Sequence, residues 1–295
     1  MSALAVSAPS APAAVDSMYE ALARWQWWRC RRDRGRGELV DLRKRLAAGD
    51  GTLVPADGGA GLDRWLQRHV GWRGGRVLDL GCGFGASLVR WVATDSAARG
   101  VGVTASDVQA RHAAAQLAAH GVGARVDVLR QDFTAPVAGC FDVVLAIESL
   151  GHARDLVAVL RGVAAALARG GRFVWVDDGL RASAPADGDV AELAARWASP
   201  PLRDAAAARA ALAAAGLGVV AEHDLTAQVP VRDAAALARA HRRLGLLRAV
   251  LPVPRLRRLA DAFLGGLALE RLYARGLACY RAWMCEADAT PAVRR

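Results

Sequence analysis

Three groups of residues in this sequence have the types and spacing for chemistry. In "VLDLGCGFGAS", residues 77–87, Gly81, Gly83 and Gly85 follow directly on an apolar run, with Asp79 just ahead of them. Glycines between a buried strand and a helix permit a tight turn and let a ligand lie against the backbone. Asp79 brings a carboxylate to the mouth of that turn. In "AIESLGH", residues 146–152, Glu148 ends a second apolar run and His152 follows four residues later. A carboxylate leaving an apolar strand is costly unless it has a partner or a task, and a spacing of four can place both side chains on one helical face. In "WVDDG", Asp177 or Asp178 ends a third such run on the same edge as Glu148.

The glycine turn could serve a dinucleotide, since Gly81, Gly83 and Ala86 fit G-x-G-x-x-[GA]. Two details oppose that reading. Asp79 would repel a pyrophosphate and attract a cationic ligand with an amino group. The next apolar run, "GVGVTASDVQ", offers Thr104 where a dinucleotide site would offer an acid for the ribose. A purely structural strand–helix turn would need fewer glycines.

The elements that must position these groups alternate along the chain. Strands are predicted at 76–81, 100–105, 125–132, 141–148 and 171–178, with helices at 86–98, 108–120 and 155–168 between them. Runs such as "VLDL" and "DVVLAI" are apolar on both faces, as central parallel strands are. The expectation is a doubly wound, Rossmann-like α/β fold with a seven-stranded, mostly parallel sheet. A helix after residue 200, a strand near 219–225 and a last strand at 277–286 complete it. Ahead of the sheet, residues 16–70 are expected to form a helical lid. Its first helix would be capped by Asp16 or Ser17, with Leu22, Trp25 and Trp28 on one face, and a second helix would span 61–70. Residues 1–15 form a Pro/Ala-rich disordered tail, 71–230 the core, 231–270 a basic helical cap, and 271–295 the last strand and C-terminus.

The glycine motif resembles the first motif of class I S-adenosylmethionine-dependent methyltransferases, over roughly residues 60–287. In that resemblance the glycines let the methionine and ribose parts of the cofactor lie on the backbone of Gly81, Cys82 and Gly83, and Asp79 faces the methionyl end. "VTASDVQ" looks like the branch containing cyclopropane-fatty-acid synthases, sterol C-methyltransferases and geranyl diphosphate C-methyltransferases, which implies Thr104 and Gln109 on the ribose. "QDF" matches the adenine position, implying Asp132 on the amino group and Phe133 on the ring. The lesser alternative for Asp132 is a helix N-cap, and Thr104 could equally be an ordinary strand residue. By the same resemblance Glu148 faces the substrate, and the N-terminal helices close over an apolar acceptor pocket. Packing of those helices on the sheet domain is the plainer reading.

Composition bounds the rest. The chain has 295 residues and a formal net charge of +10, with Lys44 its sole lysine. Residues 71–230 hold 15 Arg against 16 acids, whereas 231–295 hold 13 Arg against 5 acids. The excess is therefore C-terminal, in a segment where Arg242, Arg243, Arg255, Arg257 and Arg258 alternate with leucines. Its expected partner is an anionic group of the substrate or an anionic membrane. Cys30, Cys82, Cys140, Cys279 and Cys285 have neither zinc nor disulfide spacing, so reduced thiols are expected. No metal site, signal peptide or membrane-spanning run is legible, and a cytoplasmic protein is expected.

The expected activity is methyl transfer from S-adenosylmethionine to a small molecule, without metal. The first candidate is C-methylation of an isoprenoid-like acceptor, with Glu148 stabilising a cation or taking a proton. The alternative is O- or N-methylation of a sugar or aromatic compound, with His152 and Asp177 as the proton-accepting pair. Modification of RNA ranks lower, because strand four lacks the N-P-P-[YF] tetrad and no RNA-binding module accompanies the arginines. A cofactor-binding protein without activity is disfavoured by the presence of Glu148. Partners would be a small, anionic or lipid-like acceptor, a membrane surface or a second copy of the chain, and not nucleic acid.

Overall fold

A computed structural model describes residues 13–34, 39–48, 53–55, 59–182 and 187–288. Seven strands form one sheet: β1 (Arg76–Leu80), β2 (Arg99–Thr104), β3 (Val126–Arg130), β4 (Phe141–Ile147), β5 (Leu167–Leu180), β6 (Leu217–Asp224) and β7 (Ala278–Ala287). Their order is β3-β2-β1-β4-β5-β7-β6. The first five are parallel, and β7 runs antiparallel to both β5 and β6. The seven-stranded, mostly parallel expectation holds.

The period-two geometry of the strands divides the core between two faces. Val77, Val143, Leu145, Val174 and Val176 point to one face, against Leu62, Trp65, Trp91 and Leu272. These come from α2 (Gly59–His69), α3 (Ala86–Val92) and α9 (Pro254–Ala274). Leu78, Leu80, Val144, Ala146, Phe173 and Trp175 point to the other, against α5 (Leu156–Ala166) and α7 (Ala205–Ala214). Strands apolar on successive positions thus become the middle of a three-layer sandwich.

Helix α1 (Ala13–Arg34) packs on α4 (Asp107–Ala119) and on α9. It starts ahead of Asp16 and Ser17, which lie inside it and do not cap it. Its inward contacts also differ from the Leu22/Trp25/Trp28 face. Trp25 meets Phe263 edge-on at 4.8 Å, Trp27 stacks on His112 at 4.0 Å, and Trp28 is 57% exposed. The helix bridges two neighbours on different sides, so one i, i+3 stripe cannot serve both. Of the expected tail, residues 1–12 lie outside the described residues.

Helix α6 (Gly188–Trp197) has no counterpart among the sequence expectations. It is capped by Asp187, whose carboxylate accepts from Asp189 N and Val190 N. With α8 (Ala234–Val250) and α9 it builds a helical layer beyond the carboxyl end of the sheet. Trp197 approaches Gly265 so closely that a Cβ there would sit 2.4 Å from the indole. No described helix is long and apolar enough to cross a membrane.

Candidate functional site

The turn after β1 is built as its glycines require. Gly81, Gly83 and Gly85 have φ of 88°, 54° and 77°, a region that side chains disfavour. Gly81 N and Cys82 N both donate to Val103 O at 2.9 Å, binding the turn to β2. A Cβ on Gly81 would lie 2.4 Å from Ser149 Cβ. The Cys82 side chain packs against Gly102, so this residue offers the site its backbone. Asp79 is buried beside the turn. Burial pushes its carboxyl up to about 7, opposed by Arg43 and reinforced by Asp63 and Asp41.

Thr104 Oγ1 donates to Gln109 Oε1 at 2.7 Å, so these two groups are already joined across the end of β2 and the start of α4. Asp132 does not cap a helix. Its Oδ1 accepts from Thr134 N at 2.8 Å and Thr134 Oγ1 at 2.7 Å, closing a turn beside Phe133.

Glu148 is one of two non-glycine residues with positive φ, at 54°, among the described residues. That conformation costs about 1–3 kcal/mol and persists only where the surroundings impose it. Here they do. Glu148 N donates to Val176 O at 2.7 Å, while its carboxylate accepts from Tyr280 Oη at 2.7 Å and Lys44 N at 3.1 Å. The chain then enters a 3-10 turn, Leu150–His152. Glu148 and His152 therefore do not share a helical face; they are brought to one cavity by the kink between them.

Lys44 completes the cluster. Its Nζ lies 2.5 Å from Asp178 Oδ2 and 3.8 Å from Glu148 Oε1. Burial would lower its pKa, but Asp178 and Glu148 hold it above the usual lysine range. Tyr273 donates to the other oxygen of Asp178, and burial raises the pKa of that phenol.

Asp177 and Asp178 both reach the cavity, with different partners. Asp177 accepts from Gly151 N at 3.0 Å and Trp175 Nε1 at 3.3 Å, so it pins the 3-10 turn. Burial, then the charge of Asp178, pushes its carboxyl up to about 7. Burial lowers the His152 pKa to about 4, which leaves the imidazole neutral at neutral pH.

Asp79, Gly81, Cys82, Gly83, Thr104, Gln109, Asp132, Phe133, Glu148, His152, Asp177, Asp178 and Lys44 line one cavity of about 580 Å³ above the carboxyl edge of β1, β2, β4 and β5, with Tyr273 and Tyr280 behind the acids they bond. That is where ligands bind in doubly wound sheets, and the volume suits a cofactor with a small acceptor. Leu22, Leu193, Trp197 and Ala262 from α1, α6 and α9 give it an apolar wall. Asp41, Arg43 and Lys44 add to its polar lining from the strap of residues 39–48, which the sequence places only within a lid. This strap is anchored by a buried network: Arg43 binds Asp41 at 2.7 Å and Asp63 at 2.6 Å, and Arg90 binds the same two carboxylates.

Lys44, Tyr280, Tyr273 and Trp197 were missed from sequence. One signal was available for Lys44, since a lone lysine in so arginine-rich a chain stands against the compositional trend.

The glycine turn, the joined Thr104–Gln109 pair and the buried acid near a cleft fit a nucleoside with a cationic amino-acid tail. The comparisons agree. Residues 78–173 match the family model described as "Methyltransferase domain". The O-methyltransferase rstn1 of Aspergillus nomiae is 31% identical over 167 residues, covering 54% of this chain and 74% of that protein. The ubiquinone biosynthesis O-methyltransferase of Aromatoleum aromaticum is 33% identical over 115 residues, covering 38% of this chain and 47% of that protein. The chain thus spans about half the length of the ubiquinone-biosynthesis relatives it matches. Among solved structures, geranyl diphosphate C-methyltransferase from Streptomyces coelicolor A3(2) superposes with a TM-score of 0.66 at 17% identity, covering 95% of this chain and 100% of that one. At that identity the likeness shows the fold. The chain belongs to the class I S-adenosylmethionine-dependent methyltransferases, and S-adenosylmethionine is its cofactor.

Proposed function

We propose that this chain methylates an oxygen of a small, largely apolar acceptor. The observation that carries the reading is the state of the proton-accepting groups. His152 is neutral at neutral pH, whereas Glu148 and Asp178 are both committed to Lys44. A carbocation held by Glu148 would have the Lys44 ammonium beside it, which opposes the charge to be stabilised. An acceptor hydroxyl has no such conflict. The names of the two curated relatives, both O-methyltransferases, support the reading.

Bound in the cavity, the cofactor supplies a methyl group on a positively charged sulfur. Asp79 and the Gly81–Gly83 backbone would hold its amino-acid end, Thr104 and Gln109 its ribose, and Asp132 and Phe133 its adenine. The apolar wall from α1, α6 and α9 orients the acceptor and excludes water. The acceptor oxygen would be held in line with that methyl group, and the carbon–sulfur bonding pair would leave with the sulfur. The hydroxyl proton passes to His152. Asp177 acts as a positioning residue, holding the turn that carries His152 through Gly151 N.

His152→Gln should lower turnover by about 100-fold or more with cofactor affinity unchanged, when assayed on hydroxylated aromatic and polyketide-like acceptors. Turnover within twofold of wild type would remove His152 as the proton acceptor.

C-methylation of an isoprenoid is the second reading, favoured by the imposed conformation of Glu148 at the strand tip. It predicts the reverse pattern on prenyl diphosphates, with Glu148→Gln inactive and His152→Gln unaffected.

A further inference from the structure

Five of the large apolar side chains most exposed in the described residues lie at one place, the turn joining α8 to α9. Leu246 is 72% exposed, Leu247 50%, Val250 75%, Val253 45% and Leu256 45%. Arg242, Arg243, Arg255, Arg257 and Arg258 are exposed around them, and residues 241–260 contain no acid.

Much of the C-terminal positive charge is used elsewhere. Arg271 pairs with Asp189 and Glu192, Arg275 with Asp187, Arg281 with Glu222, and Arg248 with Asp261. Arg242, Arg243, Arg255 and Arg258 form no ion pair with a described residue. The unneutralised charge and the exposed apolar side chains thus coincide at the tip of one helical hairpin.

We propose that this tip docks the protein on an anionic lipid bilayer. Apolar side chains ringed by arginines match the boundary of such a membrane, where acyl chains meet negative headgroups. A second copy of this chain would bring the same arginines against their equivalents, a repulsive pairing. A nucleic acid would match the arginines and leave the leucines and valines in water.

The position fits the site. Leu256 is six residues before Ala262 in α9, about 9 Å along the helix, and Ala262 lines the cavity. Docking by the tip holds the apolar wall of the cavity close to the bilayer surface, where an apolar acceptor would be concentrated. The proposal stands independently of which acceptor atom is methylated.

The test is co-sedimentation of the whole chain with vesicles of phosphatidylcholine alone and of phosphatidylcholine with 30% phosphatidylglycerol (about three parts in ten). Each arginine near an anionic surface is worth about fivefold in partitioning. Wild type should sediment with the anionic vesicles, less so as salt rises. The quadruple variant Arg242→Gln/Arg243→Gln/Arg255→Gln/Arg258→Gln should lose about 100-fold or more of that partitioning. Leu246→Ser/Val250→Ser should also weaken it, with its charge intact. S-adenosylhomocysteine affinity reports whether each variant is folded. Equal recovery on both vesicle types, or unchanged binding by folded variants, would overturn the proposal. So would self-association in light scattering that the Leu246→Ser/Val250→Ser variant abolishes while vesicle binding persists.

Discussion

At the level of single residues, the site pairs groups whose environments move their protonation in opposite directions. Asp79 is held near 7 by burial and His152 near 4, also by burial. In the proposed mode a cofactor ammonium would be held by the ionised form of Asp79. The acid's raised pKa means that, below about pH 7, a proton must leave before the cofactor binds. S-adenosylmethionine affinity should therefore fall about tenfold per pH unit below 7, with proton release on binding near pH 6. Calorimetry in buffers of different ionisation enthalpy reads both, and Asp79→Asn should abolish both effects. Turnover at saturating cofactor should hold down to about pH 5, because His152 stays neutral there. A turnover that falls with a midpoint near 7 in the Asp177→Asn variant, where the raised carboxyl of Asp177 is removed, would contradict the assignment of His152. Asp79, Glu148 and Asp177 were legible in the sequence because each is an acid interrupting an apolar run. Lys44 and Tyr280 were not. They meet Glu148 across separations of 104 and 132 residues, and no local pattern encodes such a meeting.

At the level of elements, the sheet was legible and its cover was not. β1 to β5 are apolar on both faces and punctuated by glycine, so their sequence states their burial. The strap of residues 39–48 is short and without regular periodicity, and its place is fixed by partners distant in sequence. Gln116 Nε2 donates to Val40 O at 3.2 Å, and Gln228 Nε2 donates to Ala47 O at 3.2 Å. Arg43 anchors its centre, and burial is outweighed there by Asp41 and Asp63, which raise its pKa further. Arg43→Met would leave two buried carboxylates with Arg90 as their remaining cation. It should destabilise the protein by about 3–5 kcal/mol, as the loss of one partner of a buried pair does, measured by urea unfolding. A loss under 1 kcal/mol would mean that the strap is not held by this network. α6 escaped the sequence reading because its start follows a Pro/Ala/Gly stretch that resembles loop, yet it supplies Trp197 to the cavity.

For the whole molecule, sequence charge counting placed the arginine excess after residue 231 without saying which of those arginines are paired. Most arginines after residue 231 that flank the core are paired, and among the described residues the unneutralised ones, Arg239 in the body of α8 excepted, lie towards the α8–α9 turn. The central claim concerns the cavity at the carboxyl edge of the sheet, proposed to hold S-adenosylmethionine by its glycine turn and Asp79. The direct measurement is calorimetric titration of wild type and Asp79→Ala with S-adenosylhomocysteine, which carries the same amino-acid tail and nucleoside. Wild type should bind one equivalent. Asp79→Ala should bind about 10- to 100-fold more weakly, the worth of a hydrogen bond to a charged group, with its thermal unfolding still cooperative. No binding by wild type at millimolar ligand, or equal affinity in the two proteins, would contradict the account.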